Sequence, residues 1–305
     1  MARRYAVVIV TYNRLTLLKE CIQCVETQTI PATKIIVVNN ASTDKTTDFL
    51  SEKRKQNDKF YIIECKQNIG GAGGFYKGVK KASEEDIDMM LLIDDDAMIA
   101  DNYMEQIFEA KESNTSYHAF AGVVLVDGKI DIFHRKNIRK YGLKTVNCTL
   151  ACYQNKSFEC DIASFCGMVV EISVVNKIGF PLKEYFIWHD DTEYSLRINK
   201  YTKFLVIPQA VLVHKTKNYQ GSYPRRYDWR EYYGIRNRLL YVKKHGTPVD
   251  WLLTRIDIFW NAEFRNWLFG VIKKNGYDWA YEKKLVRAAL KDAKEDQTRN
   301  VIINK

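Results

Sequence analysis

The chain has 305 residues, 46% of them apolar, enough for one substantial core with a smaller appended unit. Its formal net charge is +10, and the excess is confined: residues 1–214 carry 27 Lys and Arg against 27 Asp and Glu, whereas residues 215–305 carry 20 against 10. No apolar run reaches the roughly 18–20 residues of a spanning helix, and no zinc-finger, RNP-like or basic-zipper spacing accompanies the basic end, which disfavours nucleic acid as a partner.

Met1-Ala2-Arg3-Arg4 leads at once into a strand-like run, so no signal peptide is expected. Tyr5 to Val10 reads as that strand, ending in Thr11-Tyr12-Asn13-Arg14, with a helix from about Leu15 to Thr27. Cys21 and Cys24 lie on one face of this helix, and no second Cys-x-x-Cys completes a zinc site. Seven cysteines, an odd count, fit structural roles in a reducing cytoplasm.

Beyond Pro31, Lys34 to Val38 is a second strand, closed by Asn39-Asn40-Ala41-Ser42-Thr43-Asp44, and a helix covers roughly Thr46 to Gln56. Phe60 to Glu64 is a third strand. Asn68-Ile69-Gly70-Gly71-Ala72-Gly73-Gly74 follows, then a helix to about Ser83. The glycines lack the Gly-Lys-Ser/Thr ending of a P-loop and the position of a dinucleotide fingerprint, so an anion-approach loop and a flexible turn both stay open. Met89 to Ile93 is the fourth strand and runs into Asp94-Asp95-Asp96, with a helix from Tyr103 to Lys111. Strands alternating with helices specify an α/β fold with a mostly parallel sheet and right-handed crossovers.

From Tyr117 to Phe165 the pattern loosens. Val123–Val126, Lys129–Phe133 and Ala163–Glu171 read as strands, and Phe180-Pro181 turns the chain into Tyr185-Phe186-Ile187-Trp188-His189-Asp190-Asp191. Thr192 to Asn199 is helical. Phe204–Ile207 and Ala210–Val213 read as two short strands on either side of Pro208, the second ending in His214. After Lys217 the chain becomes basic and aromatic: one helix from Tyr232 to near Gly246, a longer amphipathic helix from Asp250 to Lys273, and a charged helix from Tyr281 to Asp296.

Three acids at the exit of a buried strand repel one another unless a cation sits among them, and Mg2+ or Mn2+ suits all-oxygen sites. In an open α/β sheet ligands bind outside the carboxyl ends of the strands, so the triplet points through a metal to a phosphate and a nucleotide. A solvated acidic turn capping the next helix is the plainer reading. Asp190-Asp191 begins a helix, where an acid also favours the dipole; functionally, one carboxylate can take a proton from an acceptor hydroxyl. His214, at a strand end, is a candidate third ligand for a transition-like metal.

The order strand–Thr-Tyr-Asn-Arg, Asn-Asn-Ala-Ser-Thr-Asp, acidic triplet and late Asp-Asp before a helix resembles family 2 glycosyltransferases of the GT-A fold, and within them the bacterial galactofuranosyltransferases. The match covers about residues 4–240, with His189 inserted into the Trp-Asp-Asp pattern. The resemblance implies a GT-A (Rossmann-like) catalytic domain over 1–217, with a nucleotide-sugar half (1–115) and an acceptor half (116–217), and a helical C-terminal region over 218–305. It implies that Thr11, Tyr12, Arg14, Asp44, Asn68, Asp94 and Asp95 line the UDP-sugar site, that Asp94, Asp96 and His214 hold Mn2+ or Mg2+, that Asp191 is the base with Asp190 beside it on acceptor hydroxyls, and that Trp188 stacks on a sugar. The implied reaction is inverting transfer of galactofuranose to a lipid-linked bacterial surface glycan, in the cytoplasm or at the inner face of the membrane. A dTDP-rhamnose transferase, a nucleotidyltransferase and a non-catalytic glycan-binding module are the competing readings. The basic aromatic helices suit a membrane interface, the protein's own core or a second subunit.

Overall fold

In the computed structural model the described residues are 3–139, 141–215, 228–264, 267–268 and 279–298. The first half alternates β1 (Tyr5–Thr11), α1 (Leu15–Glu26), β2 (Lys34–Asn39), α2 (Thr46–Gln56), β3 (Phe60–Glu64), α3 (Gly70–Ala82) and β4 (Met89–Asp94). There follow β5 (Ala97–Ile99), α4 (Tyr103–Ser113), β6 (Ala119–Val126), β7 (Lys129–Ile130), β8 (Arg135–Ile138), β9 (Thr145–Asn147), β10 (Phe158–Cys160), β11 (Ile162–Ala163) and β12 (Met168–Glu171). The chain continues through α5 (Ile172–Ile178), α6 (Asp190–Ile198), β13 (Phe204–His214), α7 (Arg230–His245), α8 (Pro248–Ile258) and α9 (Trp279–Lys294).

The main sheet has the order β10-β13-β6-β12-β4-β1-β2-β3, with β5 added to β13 and β7 to β6. Strands β4, β1, β2 and β3 are parallel neighbours, and β12 enters antiparallel between β4 and β6. The chain leaves β1 toward β2 on one side and returns to β4 on the other. This reversal of strand order sets the carboxyl ends of β1 and β4 side by side, the place where open α/β sheets bind ligands.

Both faces of the sheet are covered. Tyr5, Val7 and Ile9 of β1 join Leu18 and Ile22 of α1 in one core layer, while Ala6, Val8 and Val10 join Phe75 and Val79 of α3 in the other. The period-2 alternation of a strand makes a continuous apolar run serve two layers at once. The glycines of α3 serve this packing: a Cβ on Gly74 would fall 2.5 Å from Val10 Cγ1, and one on Gly78 only 2.2 Å from Val8 Cγ1. The expected loop is therefore the first turns of a helix lying tight on the sheet.

Several elements differ from the sequence expectation. The two strands around Pro208 are one strand, β13, with a register shift between Ile207 and Val211 that absorbs the proline. The short β5 was not expected; it is three residues long and pairs with the end of β13. The helix read from Asp250 starts at Pro248 behind a Thr247–Asp250 capping box and changes to a π-helical turn over Phe259–Phe264. Of the rest of that expected helix, residues 265, 266 and 269–273 lie outside the described residues.

The chain groups into two compact units. Unit 1 is Met1–Asn137, Asn147–Lys183 and Asp191–Asn218, and holds the sheet; unit 2 is Ile138–Val146, Glu184–Asp190 and Tyr219–Lys305. Unit 2 has its own core, in which Tyr232, Tyr233 and Leu239 of α7 pack with Leu285, Val286 and Ala289 of α9. Two stretches that precede residue 217 group with these helices because side chains hold them there. Asn237 Nδ2 donates to the carbonyls of Tyr185, Ile187 and Trp188, and Asp250 accepts from the Gly142 N–H.

Candidate active site

In unit 1, β4 delivers Asp94-Asp95-Asp96 to the carboxyl edge of the sheet, beside Thr11, Tyr12 and Arg14 at the exit of β1. Asp95 is buried, and its Oδ2 accepts from Thr11 Oγ1 at 2.8 Å and from the Tyr12 N–H at 3.4 Å. Arg14 Nη1 donates to Asp96 Oδ2 at 2.6 Å and to Asp95 Oδ1 at 3.3 Å. The end of β13 brings His214 in from more than a hundred residues away, its Nε2 lying 3.2 Å from Asp96 Oδ1. The pairing of β5 with β13 sets this distance, since His214 is in register with Ala97, one residue after Asp96.

These contacts divide the three acids electrostatically. Burial lifts the Asp94 carboxyl to about 7, with the Asp96 charge adding to the effect. Burial also lifts Asp95 to about 6, held from rising further by Arg14 and the Thr11 hydroxyl. Burial works in the same direction on Asp96, but the hydrogen bond and charge of His214, with Arg14, outweigh it and hold Asp96 below the ordinary range. His214 responds oppositely: burial favours its neutral form, yet the Asp96 contact raises its pKa. Asp96 and His214 are thus in hydrogen-bond contact at the centre of the cluster, each favouring the charged form of the other.

Two hard carboxylates and one imidazole are the donor types Mn2+ takes, and Mg2+ accepts the carboxylates. His214 Nδ1 is buried without a hydrogen-bond partner, so the ring retains an unused ligating atom. The expected set Asp94, Asp96 and His214 is not drawn together as a closed cage: among the described residues no group of three His, Cys, Asp or Glu side chains is arranged for a metal. Arg14, whose guanidinium contacts Asp95 and Asp96, supplies positive charge among the acids.

Asp44 and Asn68 stand on the neighbouring loops. Asp44 Oδ2 accepts from the Leu15 N–H and its Oδ1 from the Thr46 N–H, so it joins the starts of α1 and α2. Asn68 Oδ1 accepts from the Gly70 N–H at 2.8 Å and from Asn40 Nδ2 at 2.9 Å, which fixes the entry to α3. Sequence reasoning missed how much of this rim the asparagines carry. Asn13, at φ +52°, accepts from the Thr43 N–H and ties the β1 loop to the β2 loop. The buried Asn39 donates to Thr47 and Glu64. Short polar side chains directly after apolar strands were the available signal.

The late acidic pair divides between the units. Asp191, in unit 1, turns Oδ1 back onto the Thr192 N–H at 2.5 Å and the Thr192 hydroxyl at 3.1 Å. Asp190 is buried at the start of α6, and with Trp188 it belongs to unit 2. The segment before it is strained, with Phe186, Trp188 and His189 all at φ between +63° and +65°. Asn237 holds its carbonyls, Phe186 stacks on Tyr233 with ring centroids 5.0 Å apart, and Trp188 lies flat enough on α7 that a Cβ on Gly234 would sit 3.0 Å from its ring. Asn237 was not singled out by sequence; a lone Asn in a basic helix gives no sign that it anchors a loop fifty residues earlier.

A doubly covered, mostly parallel sheet with an acidic cluster at its switch point is an α/β fold of the GT-A type. The glycosyl transferase family 2 model matches residues 6–178. The chain belongs to that family. Among curated relatives, the uncharacterized glycosyltransferase YwdF of Bacillus subtilis (strain 168) is 31% identical over 139 residues, 45% of this chain and 47% of that one. The poly(ribitol-phosphate) beta-glucosyltransferase of Bacillus spizizenii is 28% identical over 115 residues, 37% of this chain and 18% of that one. The chain thus spans less than half the length of these relatives. GalNAc-T7, crystallised with UDP, GalNAc and Mn2+, superposes with a TM-score of 0.61 at 14% identity over 95% of this chain and 54% of its own. S. aureus TarS 1-349 with UDP-GlcNAc gives 0.57 at 15% identity, over 95% and 80%. These structural likenesses concern the fold.

Proposed function

We propose that the chain transfers galactofuranose from UDP-galactofuranose, with inversion, to a hydroxyl of a lipid-linked bacterial surface glycan. The observation that carries the nucleotide-sugar reading is the meeting of Asp94–Asp96, Arg14 and His214 at the switch point of the sheet. Thr11, Tyr12, Arg14, Asp44, Asn68, Asp94 and Asp95 line the donor side, with the exposed Tyr12 ring offering a face to the base. Among relatives, the UDP complexes of TarS and GalNAc-T7 support a UDP donor. The poly(ribitol-phosphate) and poly-beta-1,6-N-acetyl-D-glucosamine enzymes support a cell-surface polymer as acceptor. The galactofuranose assignment rests on the Trp188, Asp190, Asp191 and His214 pattern.

Asp94, Asp96 and His214 would hold Mn2+ or Mg2+, which when bound supplies Lewis-acid stabilisation of the departing diphosphate. The protein's own groups do the rest. Asp191 takes the proton of the acceptor hydroxyl as it attacks the anomeric carbon. Asp190 orients neighbouring hydroxyls and Trp188 stacks on the acceptor sugar. The reading is tested by a donor panel of UDP-galactofuranose, dTDP-rhamnose and UDP-GlcNAc, with Mn2+ present and absent. Turnover of dTDP-rhamnose alone would replace galactofuranose by rhamnose, and product with retained configuration would refute the single displacement.

A further inference from the structure

A single hydrogen bond leaves an imidazole able to swing about that contact. Nε2 of His214 meets Asp96 Oδ1 at 3.2 Å, and its buried Nδ1 has no hydrogen-bond partner among the described residues. The ring is steadied from the side by His134. The two imidazoles stand edge to face, with centroids 5.3 Å apart and planes at 80°, the arrangement that aromatic pairs favour. His134 is itself held on several sides. It ends a 3-10 turn, Ile132–His134, between β7 and β8, and Asp131 starts that turn by accepting from the Phe133 N–H at 3.0 Å. Nδ1 of the His134 ring lies 2.7 Å from Ser164 Oγ, and Nε2 lies 3.5 Å from Asp131 Oδ2. Turning the ring over would lose both contacts. The His134 carbonyl accepts from the Ser164 N–H at 3.1 Å and from Arg135 Nη1 at 2.9 Å. Arg135 is fully buried, and its Nε and Nη2 donate to the carbonyls of Gly122 and Cys166, each at 3.0 Å. A buried guanidinium satisfied by three carbonyls ties the turn to β6 and to the chain that enters β12.

We propose that His134 is a positioning residue for His214: its ring, mounted on Ser164, Asp131 and the Arg135 anchor, fixes the rotation of the His214 imidazole beside Asp96. Both nitrogens of His134 face partners inside the protein, whereas His214 keeps one nitrogen unused. His134 therefore supports a ligand and is not one itself. A ligand aligned before a cation arrives gives up less rotational freedom on binding, so affinity depends on the mount as well as on the donor atoms. His134, Ser164, Asp131, Asp96 and His214 all belong to unit 1, so the arrangement is complete within it. The inference rests on the proposed metal site of Asp94, Asp96 and His214.

The test is titration of the full chain with Mn2+ alone, by calorimetry, together with nitrogen NMR of the His214 imidazole in the metal-free protein. His134→Ala is expected to weaken Mn2+ binding by about tenfold and to change the His214 ring signals before any metal is added. His134→Phe keeps an aromatic ring against His214 without the nitrogens, and is expected to recover most of the lost affinity. Ser164→Ala, which leaves the His134 ring in place but unpins Nδ1, is expected to act in the same direction as His134→Ala and more weakly, and it gives the readout should His134→Ala not fold. Mn2+ affinity untouched by His134→Ala, or by Ser164→Ala where the first does not fold, overturns the proposal. So do unmoved His214 ring signals, or a His134→Phe chain as impaired as His134→Ala, which would reduce His134 to a part of the fold. His214→Ala separates the two levels of the argument: if it binds Mn2+ like the native chain, the metal site itself is wrong and this proposal falls with it. A loss in His214→Ala without a loss in the His134 variants overturns the positioning role alone.

Discussion

Arg14 holds Asp96 through a 2.6 Å contact from Nη1 to Oδ2, so a residue from the loop after β1 already fills the positive position that the acids at the end of β4 require. Nothing in this contact is specific to Arg beyond its charge and reach, and half of the Arg14 side chain remains exposed. Arg14 and a divalent cation then compete for one carboxylate. Arg14→Ala is expected to bind Mn2+ alone about tenfold more tightly, since a like charge a few ångströms away is removed. The same variant is expected to bind UDP in the presence of metal more weakly. Titration calorimetry with Mn2+, then with UDP, reads both; unchanged Mn2+ affinity would mean the guanidinium does not contest the site.

The raised carboxyls make the metal-free protein pH-sensitive. Asp94 at about 7 and Asp95 at about 6 lie above their unfolded values of about 3.9. Because the folded state holds these protons more tightly, the stability they contribute is complete below about pH 4 and is lost as pH climbs through the folded values. Asp94→Asn removes the Asp94 share. In EDTA, its melting temperature relative to the native chain is expected to rise from about pH 4 to about pH 7 and to level off above that. Paired thermal melts across this range check it, and a flat difference would contradict the raised Asp94 carboxyl.

His214 and Asp191 should separate by the step they affect. His214→Ala is expected to lower Mn2+ affinity by at least about tenfold, and to destabilise the metal-free fold because the buried Asp96 loses its partner. Asp191→Asn keeps the size of the side chain and its reach to Thr192. It is expected to cost about a thousandfold in kcat with donor KM unchanged. Transfer that survives Asp191→Asn would move the base to another residue.

Asn237 is the prediction that no functional motif suggested. The Asn237 amide donates to the carbonyls of Tyr185, Ile187 and Trp188 in the strained segment, the first of which also accepts from the Ile187 N–H, and the side chain is fully buried. Asn237→Ala is expected to destabilise unit 2 by about 2–3 kcal/mol, the cost of leaving buried acceptors unpaired. If Trp188 and Asp190 serve the acceptor, its KM should rise more than the donor KM. Urea melts and initial rates measure the two effects separately.

The acidic triplet, the alternating strands and the Thr-Tyr-Asn-Arg exit of β1 were legible in the sequence because each is local: an apolar run of strand length, followed by polar residues the sheet cannot bury. The glycines of α3 were legible as glycines but not as packing elements, since their reason is the distance from Gly74 and Gly78 to Val10 and Val8 on another element. The strand β13 across Pro208 was misread as two because a sequence window cannot show that a bulge with β6 accommodates the missing N–H.

By itself, then, the sequence determined the family, the fold class and the residue types at the carboxyl edge of the sheet, since periodicity and strand-exit chemistry are written within a few consecutive positions. Tertiary structure decided which of those residues touch. It paired Arg14 and His214 with the two oxygens of Asp96, gave the segment 184–190 to the helical unit, and turned the apolar side of α8 outward. Each of these depends on strand register or helix rotation between elements distant in the chain, and no local pattern fixes those quantities.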